Sequence, residues 1–306
     1  MAKVNNFEYA KIFSNQLDQQ IIHEATSGWM EANAGQVKYN GGNEVKVPTI
    51  STQGLADYDR DHGFERGAVT MTWKTYEMTQ DRGRSFMVDA MDVDETNFVA
   101  TAGAIMGAFQ REQVVPEIDS YRYSKLAKIA KDASQAKETF TPDASNIIGQ
   151  LTEDIANVQD VIGEYADLVI TMPTDIAGVL TGAEGITRFI NVGDFAKGAL
   201  NFKVKTFNGI PIIVVPSARM FNEYTFKNGK SGQAEGGIEK AGSAKKINWL
   251  ITARTAPIAI SKTEKVRIFA PDTNQVADAW KLDYRKYHDL WVLESKKKAI
   301  YVNTGA

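Results

Sequence analysis

The sequence contains no cysteine. That absence removes disulfides, thiolate metal sites, iron–sulfur clusters and thiol nucleophiles. Histidine is scarce too, with three copies at positions 23, 62 and 288. No stretch approaches eighteen consecutive apolar residues, so no membrane span is expected. The opening MAKVNNFEYAKIFSNQLDQQ lacks the apolar run of a signal peptide, and folding in a cytoplasm is the expectation. A net charge of −3 gives no global electrostatic drive toward nucleic acid. What is present is ordinary: 43% hydrophobic and 24% charged residues over 306 positions suffice for two average domains or one large one.

Residues 7–33 read as a polar amphipathic helix, with Phe13, Leu17, Ile21 and Ala25 in a narrow apolar stripe and Gly28 near its end. A stripe that thin suits docking better than core formation. Two alternating segments follow, NEVKVPTI with Val45, Val47 and Thr49 on one face, and AVTMTWKTYEMT with Val69, Met71, Trp73 and Thr75 on one side. Between them lies the polar, mixed-charge STQGLADYDRDHGFERG. This predicts a projecting hairpin, marginal unless it lies on a partner surface. From Asp92 the period turns helical, with Phe98, Ala102, Ile105 and Phe109 in register, and the pattern resumes past Pro116. One long helix over 93–133, kinked at Pro116, is expected. A further helix over 142–163 is expected to start at Pro142 after a Thr141 cap, then a buried strand ADLVITMP and a short helix capped by Thr174. FKVKTFNGIPIIVVP reads as a hairpin turning at Asn208–Gly209. INWLITA, PIAISK, KVRIFA, DLWVLES and AIYVN read as strands, and the Gly/Ser/Lys-rich 228–246 as a mobile loop.

The densest chemistry is DRGRSFMVDAMDVDETN (81–97), where Asp81, Asp89, Asp92, Asp94 and Glu95 surround Arg82, Gly83 and Arg84. Carboxylates in this number can hold a divalent metal, yet no histidine joins them and the D-x-D-x-D-G spacing of a calcium loop is missing. Asp92 and Glu95 stand in capping-box spacing, and Asp94 and Glu95 lie where a helix dipole favours acids. Helix capping accounts for Asp92, Asp94 and Glu95 more simply than catalysis does. Arg82 and Arg84 lack a phosphate cradle and are expected to pair with carboxylates across an interface. His288 and Asp289 are adjacent in a strand pattern and point to opposite faces, so they form no acid/base pair and His288 reads as a satisfied structural residue. Neither a G-x-S-x-G elbow nor a phosphate-binding glycine loop occurs, and SKKKA (295–299) reads as a solvated turn. No enzyme, cofactor or metal is expected.

The order of parts is a helical arm, a charged hairpin, a very long helix, and then an α/β region ending in strands. That order and several segments resemble the major capsid proteins of tailed bacteriophages. The matching segments are LADYDRDHGFERG, VTMTWKTYEMTQDRGRSFMVDAMDVDETN, FQREQVVPEIDSYRYSKLAKIA, FNGIPIIVVPSARM, and the stretch from KINWLITARTAPIAISK to YHDLWVLESKKKAIYV. The likeness covers roughly 40–130 and 165–303. It implies the α+β Hong Kong 97-like capsid fold, with an N-terminal arm (1–40), an extended E-loop hairpin (41–91), a spine helix in a peripheral P domain (92–165), an axial A domain (166–280) and return strands to the P domain (281–306).

The family's role, so implied, is structural: hexamers and pentamers closing an icosahedral shell around phage double-stranded DNA, in the virion, after assembly in the host cytoplasm. DNA would be enclosed without sequence-specific binding. The short segment before the hairpin favours a separately encoded scaffolding protein, or none, and the resemblance adds a portal and a decoration protein as further partners. Asp57, Asp59, Arg60, Asp61, Glu65 and Arg66 at the hairpin tip suit intersubunit ion pairs, and Tyr58, Phe64, Trp73 and Tyr76 suit interface anchors. An encapsulin-like nanocompartment shell of the same fold, and a carboxylate–metal hydrolase centred on 81–97, are the alternatives.

Overall fold

The computed structural model describes residues 25–36, 38–39, 44–61, 63–89, 98–163, 166–186, 190–197 and 200–306. Of the helix expected over 7–33, residues 7–24 lie outside the described residues. Its remainder is not α-helical: Gly28–Gln36 forms a 3-10 helix. Two buried side chains of the long helix fix that segment in place. Asp119 accepts hydrogen bonds from Thr26 N (3.1 Å) and Oγ1 (2.7 Å) and from Ser27 N (3.0 Å) and Oγ (2.6 Å). It also accepts one from Arg219 Nη1 at 3.0 Å. Arg122, three residues on, donates to Ser27 O and to Glu31 Oε1. A fully buried carboxylate is tolerable here because its lone pairs and its charge are both met.

Strand β1 (Lys38–Tyr39) pairs with β2 (Glu44–Thr52), and β2 pairs antiparallel with β3 (Val69–Glu77) from Glu44↔Glu77 to Thr52↔Val69. This is the expected hairpin, but its pairing stops at Glu77. Gln80–Asp89 is a separate strand, β4, which joins a different sheet by pairing with residues 279–288 from Ala279↔Asp89 to His288↔Gln80. The boundary drawn at 91 therefore runs past the hairpin. Asp92, Asp94 and Glu95 lie outside the described residues.

Helix α1 (Phe98–Phe109) continues through a π-helical turn, Gln110–Val114, into α2 (Val115–Asp132). Where a kink is expected, at Pro116, the helix carries this π-helical turn just upstream. Proline lacks the N–H that Glu112 would receive, and the widened turn upstream absorbs the mismatch. Strand β5 (Ala136–Lys137) follows. Helix α3 spans Ile147–Ile162, five residues later than expected, because Asp143 closes a turn by accepting from Ser145 N and Asn146 N. After β6 (Leu168–Pro173) comes α4 (Thr174–Thr181). Thr174 does not cap it; its hydroxyl donates to Val215 O instead.

The remaining strands are β7 (Ile190–Lys197), β8 (Leu200–Phe207), β9 (Ile210–Val215), β10 (Tyr224–Phe226), β11 (Ile238–Lys240), β12 (Ile247–Ala253), β13 (Pro257–Phe269), β14 (Ala279–Val292) and β15 (Ile300–Thr304). Asn208 (φ 49°) and Gly209 (φ 80°) turn β8 into β9 with two left-handed residues, as a type I′ hairpin requires. PIAISK and KVRIFA are one strand with a register shift between Ser261 and Thr263, and DLWVLES is the end of a strand that begins ten residues earlier, at Ala279. The sheet order β5-β15-β12-β6-β9-β8-β7 gives a seven-stranded sheet, with β6 and β12 buried at every position.

The main core packs α2 and α3 against that sheet around Trp249, Leu151, Ile170 and Leu126. Asp154 of α3 is buried there and accepts from Gln150 Nε2, Trp249 Nε1 and Asn303 Nδ2 at 2.8–2.9 Å. Burial raises its pKa, against the pull of these three donors. A second core, with Met106, Val115, Ile118, Leu282 and Tyr284, lies between the π-turn region and the β13–β14–β4 sheet. A third joins Val45, Val47 and Met78 at the base of the hairpin to Ile258, Ile260, Tyr287 and Trp291.

Candidate functional site

Among the described residues the hairpin is weakly enclosed, and strand register explains how. Directly paired residues share a face, so Ile50 stands with Met71 and beside Val69 and Trp73. Val45 and Val47 point the other way, where they are buried in the base core. The two apolar rows therefore serve different surfaces. The outer row stays in solvent: Ile50 is 64% exposed, Val69 70%, Met71 54% and Trp73 49%. Tyr76 packs on Trp291 within the chain, with ring centroids 6.1 Å apart.

At the tip, Asp59 and Gly63 bridge each other through N–H···O bonds of 3.2 and 2.8 Å, and Asp61 N donates to Asp59 Oδ1 at 2.7 Å. Gly63 sits at φ +85°, the left-handed region that this tight return needs. Tyr58 and Phe64 meet edge to face at 4.9 Å across the bridge, yet both remain exposed. Asp57, Asp59, Arg60, Asp61, Glu65 and Arg66 are exposed around them. The structure thus brings the tip residues onto one projecting loop.

Arg82 and Arg84 do not belong to that tip. Arg82 pairs with Glu117 of α2 and donates to Gly237 O at 3.1 Å. Arg84 donates to Ala234 O at 3.0 Å, and its guanidinium lies so close to Gly229 and Gly236 that a Cβ there would sit 3.2 and 3.3 Å from Nη1. The glycines of 228–246 thus form a cradle for an arginine from β4. The segment expected to be a mobile loop contains β11 and its own turns, and two arginine hydrogen bonds hold it to β4. Composition showed the glycines but not what they accommodate. Together these residues border a cavity of 640 Å³ that also reaches Lys286 and His288.

The hairpin meets the body at Met78 and Thr79, and sequence reasoning missed the residue that holds this junction. Asp289, fully buried, accepts from Thr79 N and Thr79 Oγ1, each at 3.0 Å, and from Tyr121 OH at 2.5 Å. Lys125 of α2 completes the set as its ion-pair partner. Tyr287 OH donates to Met78 O at 3.0 Å. A buried acid beside YH in a strand was the available signal, but its partners lie more than 160 positions away in sequence. Burial and the Asp289 charge push the Tyr121 hydroxyl pKa up, so it remains a donor.

His288 is buried as expected but not satisfied: its Nδ1 has no hydrogen-bond partner. It stacks edge-on against Tyr121 at 5.6 Å. Burial, with Arg122, Lys286, Lys125 and Arg82 nearby, holds its pKa well below the usual histidine value. Of the 81–97 carboxylates that are described, Asp81 takes a bidentate pair of hydrogen bonds from Arg285 (2.8 and 2.5 Å) and Asp89 lies exposed at the far end of β4. Among the described residues no group of three or more His, Asp or Glu is placed to hold a metal ion, and no helix is long and apolar enough to cross a membrane.

Sequence comparison finds no matching family model and no curated relative. Solved structures do match over most of the chain, phage capsids among them. The asymmetric unit of the bacteriophage PhiM1 mature capsid aligns with a TM-score of 0.58 and 14% identity over 87% of this chain and 83% of that one. The capsid of the cyanophage P-SCSP1u aligns at 0.57 and 11% identity, over 87% and 84%. A virus-like particle from Pyrococcus furiosus aligns at 0.50 and 12%, over 98% and 100%. The chain shares the fold of these capsid structures. More narrowly, that fold is the mixed α and β Hong Kong 97-like capsid fold.

Proposed function

We propose that the chain is a major capsid protein of a tailed bacteriophage, a structural subunit that associates with its own copies as hexamers and pentamers in an icosahedral shell around double-stranded DNA. The observation that carries this reading is the hairpin: nine-residue strands whose outer row of Ile50, Val69, Met71 and Trp73 stays in solvent. Exposed apolar surface of this kind marks an interaction site, and a two-stranded ribbon gains stability by lying on a partner. The mixed-charge tip then fixes register on the neighbour. On this reading the hairpin is the E-loop, α1 and α2 form the spine of the P domain, and the strands of the seven-stranded sheet that fall within 166–280 belong to the A domain. A scaffolding protein, a portal and a decoration protein are its further partners, and its place is the virion.

The test is electron microscopy of the purified full chain, with and without a scaffolding protein. Closed shells are expected. A chain that stays monomeric under every assembly condition, and that is missing from virions, overturns the reading. A second reading, a nanocompartment shell holding protein cargo, draws on the end-to-end alignment with the Pyrococcus particle. Nucleic acid inside particles from the native source favours the first reading, and a co-purifying enzyme the second.

A further inference from the structure

The base of the hairpin combines a clamp with a buried group that has nowhere to place a proton. We propose that this junction is an acid-sensitive hinge, in which Asp289 locks Thr79 to helix α2 while His288 is neutral and protonation of His288 releases the lock.

The hairpin and β4 diverge at Met78 and Thr79, and a swing of the hairpin about that point works against two restraints, the Asp289 clamp and the base core of Val45, Val47 and Met78 on Ile258, Ile260 and Trp291. Four groups oppose that swing through one carboxylate: the N–H and hydroxyl of Thr79 on the hairpin side, Tyr121 and Lys125 on the helix side. Tyr121 connects the clamp to His288, because its hydroxyl donates to Asp289 while its ring lies edge-on to the imidazole. Both neighbours on β14 thus meet Tyr121, and the tyrosine is the mechanical link between them.

A proton on His288 makes a buried cation with an N–H at Nδ1 that meets no acceptor. The charged groups around it make matters worse. From α2 come Arg122 and Lys125 together with Glu117; from β14, Lys286 and Asp289; from β4, Arg82 and Asp81; from β13, Glu264. The carboxylates are already engaged, Glu117 by Arg82, Glu264 by Lys286, Asp289 by Lys125 and Asp81 by Arg285. Lys227 and Glu235, which line the same cavity from the β10–β11 segment, pair with each other, so among the described residues around His288 no acid is left to receive the imidazolium and the state that hydrates it is favoured. His288 borders the 640 Å³ cavity, which supplies that water. A histidine whose folded pKa is depressed contributes stability above its unfolded pKa that is lost as pH falls below it. The closed state therefore weakens below about pH 6.5, by up to tenfold in the closed-to-open ratio per pH unit. The inference rests on the fold alone and holds whether or not the chain forms a shell.

The chain has no cysteine, so Thr72→Cys on the hairpin and Lys128→Cys on α2 introduce a unique pair for spin labels. Both positions are exposed. Pulsed electron–electron resonance on the full chain, diluted with unlabelled chain so that only intramolecular distances are read, is compared at pH 7.5 and pH 5. A single distance at pH 7.5 that broadens and moves at pH 5 is expected. His288→Gln, or His288→Asn if circular dichroism shows the first to be misfolded, should keep the neutral-pH distribution at pH 5. Asp289→Asn should show the open distribution already at pH 7.5. An unchanged distribution at pH 5 in the otherwise native chain overturns the proposal, as does an equal acid response in the histidine variant or a closed Asp289→Asn at pH 7.5.

Discussion

Replacing Ile50, Met71 and Trp73 together by threonine separates what the hairpin does for its own chain from what it does for a neighbour. These side chains share one face and are 64%, 54% and 49% exposed, so the isolated chain gains little from them. Threonine keeps the strand preference, and surface changes of this kind stay within about 0.5 kcal/mol of the native stability. In a shell the same face would be covered. Fully burying one such side chain is worth about 1.5–3 kcal/mol. With roughly half of each still available for burial, the three together contribute about 3 kcal/mol per contact, or roughly a hundredfold in its association constant.

A shell multiplies that loss over many identical contacts, so sedimentation velocity should find no closed particles at concentrations where the native chain assembles fully. The opposite face supplies the control. Val45→Ala and Val47→Ala remove buried methyl groups from the base core and should each cost about 1.5–3 kcal/mol of chain stability, measured by urea unfolding. A triple variant that assembles like the native chain would refute the assignment of this face as a contact.

Gly83→Ala should cost about 1–3 kcal/mol of overpacking strain in thermal melts, because its Cβ would stand 2.6 Å from the Tyr284 carbonyl oxygen across the β4–β14 pair. Asp119→Ala should cost about 3–5 kcal/mol in urea unfolding, since it strands Arg219 and two backbone N–H groups beside Arg122. Asp154 should behave otherwise, because its three donors are neutral. Its folded pKa lies above the unfolded value of 3.8, so the stability it contributes is full below that value and is lost as pH rises through the folded pKa. Asp154→Asn should therefore equal or exceed the native stability at pH 7 and lose that advantage toward pH 3, whereas Asp154→Ala should be destabilised at both pH values.

Much of this architecture was legible in residue order. Alternation over 44–52 and 69–77 marked the hairpin, Asn208–Gly209 marked a turn, and the long helical period marked the long helix, because each signal is local and needs no partner. Boundaries failed where a tertiary contact competed with a local preference. Thr174 and Thr141 look like caps, yet the first hydroxyl turns to Val215 O and the second helix waits for a turn built on Asp143. The strand 80–89 looks like the end of the hairpin, yet pairing with β14 takes it elsewhere.

By itself the sequence determined that thiol chemistry is impossible, that a hairpin projects and that a long helix follows it. Its wording also resembled one capsid family, and the fold agrees. Only the tertiary structure decided what the charges do. Arg82 and Arg84, which read as outward-facing, are spent on Glu117 and on the carbonyls of a glycine loop. Asp289, which read as an idle neighbour of His288, gathers Thr79, Tyr121 and Lys125 at the base of the hairpin. The reason is physical: a strand's alternation shows which side a residue faces, but a charge takes its meaning from partners that only folding brings within hydrogen-bond reach.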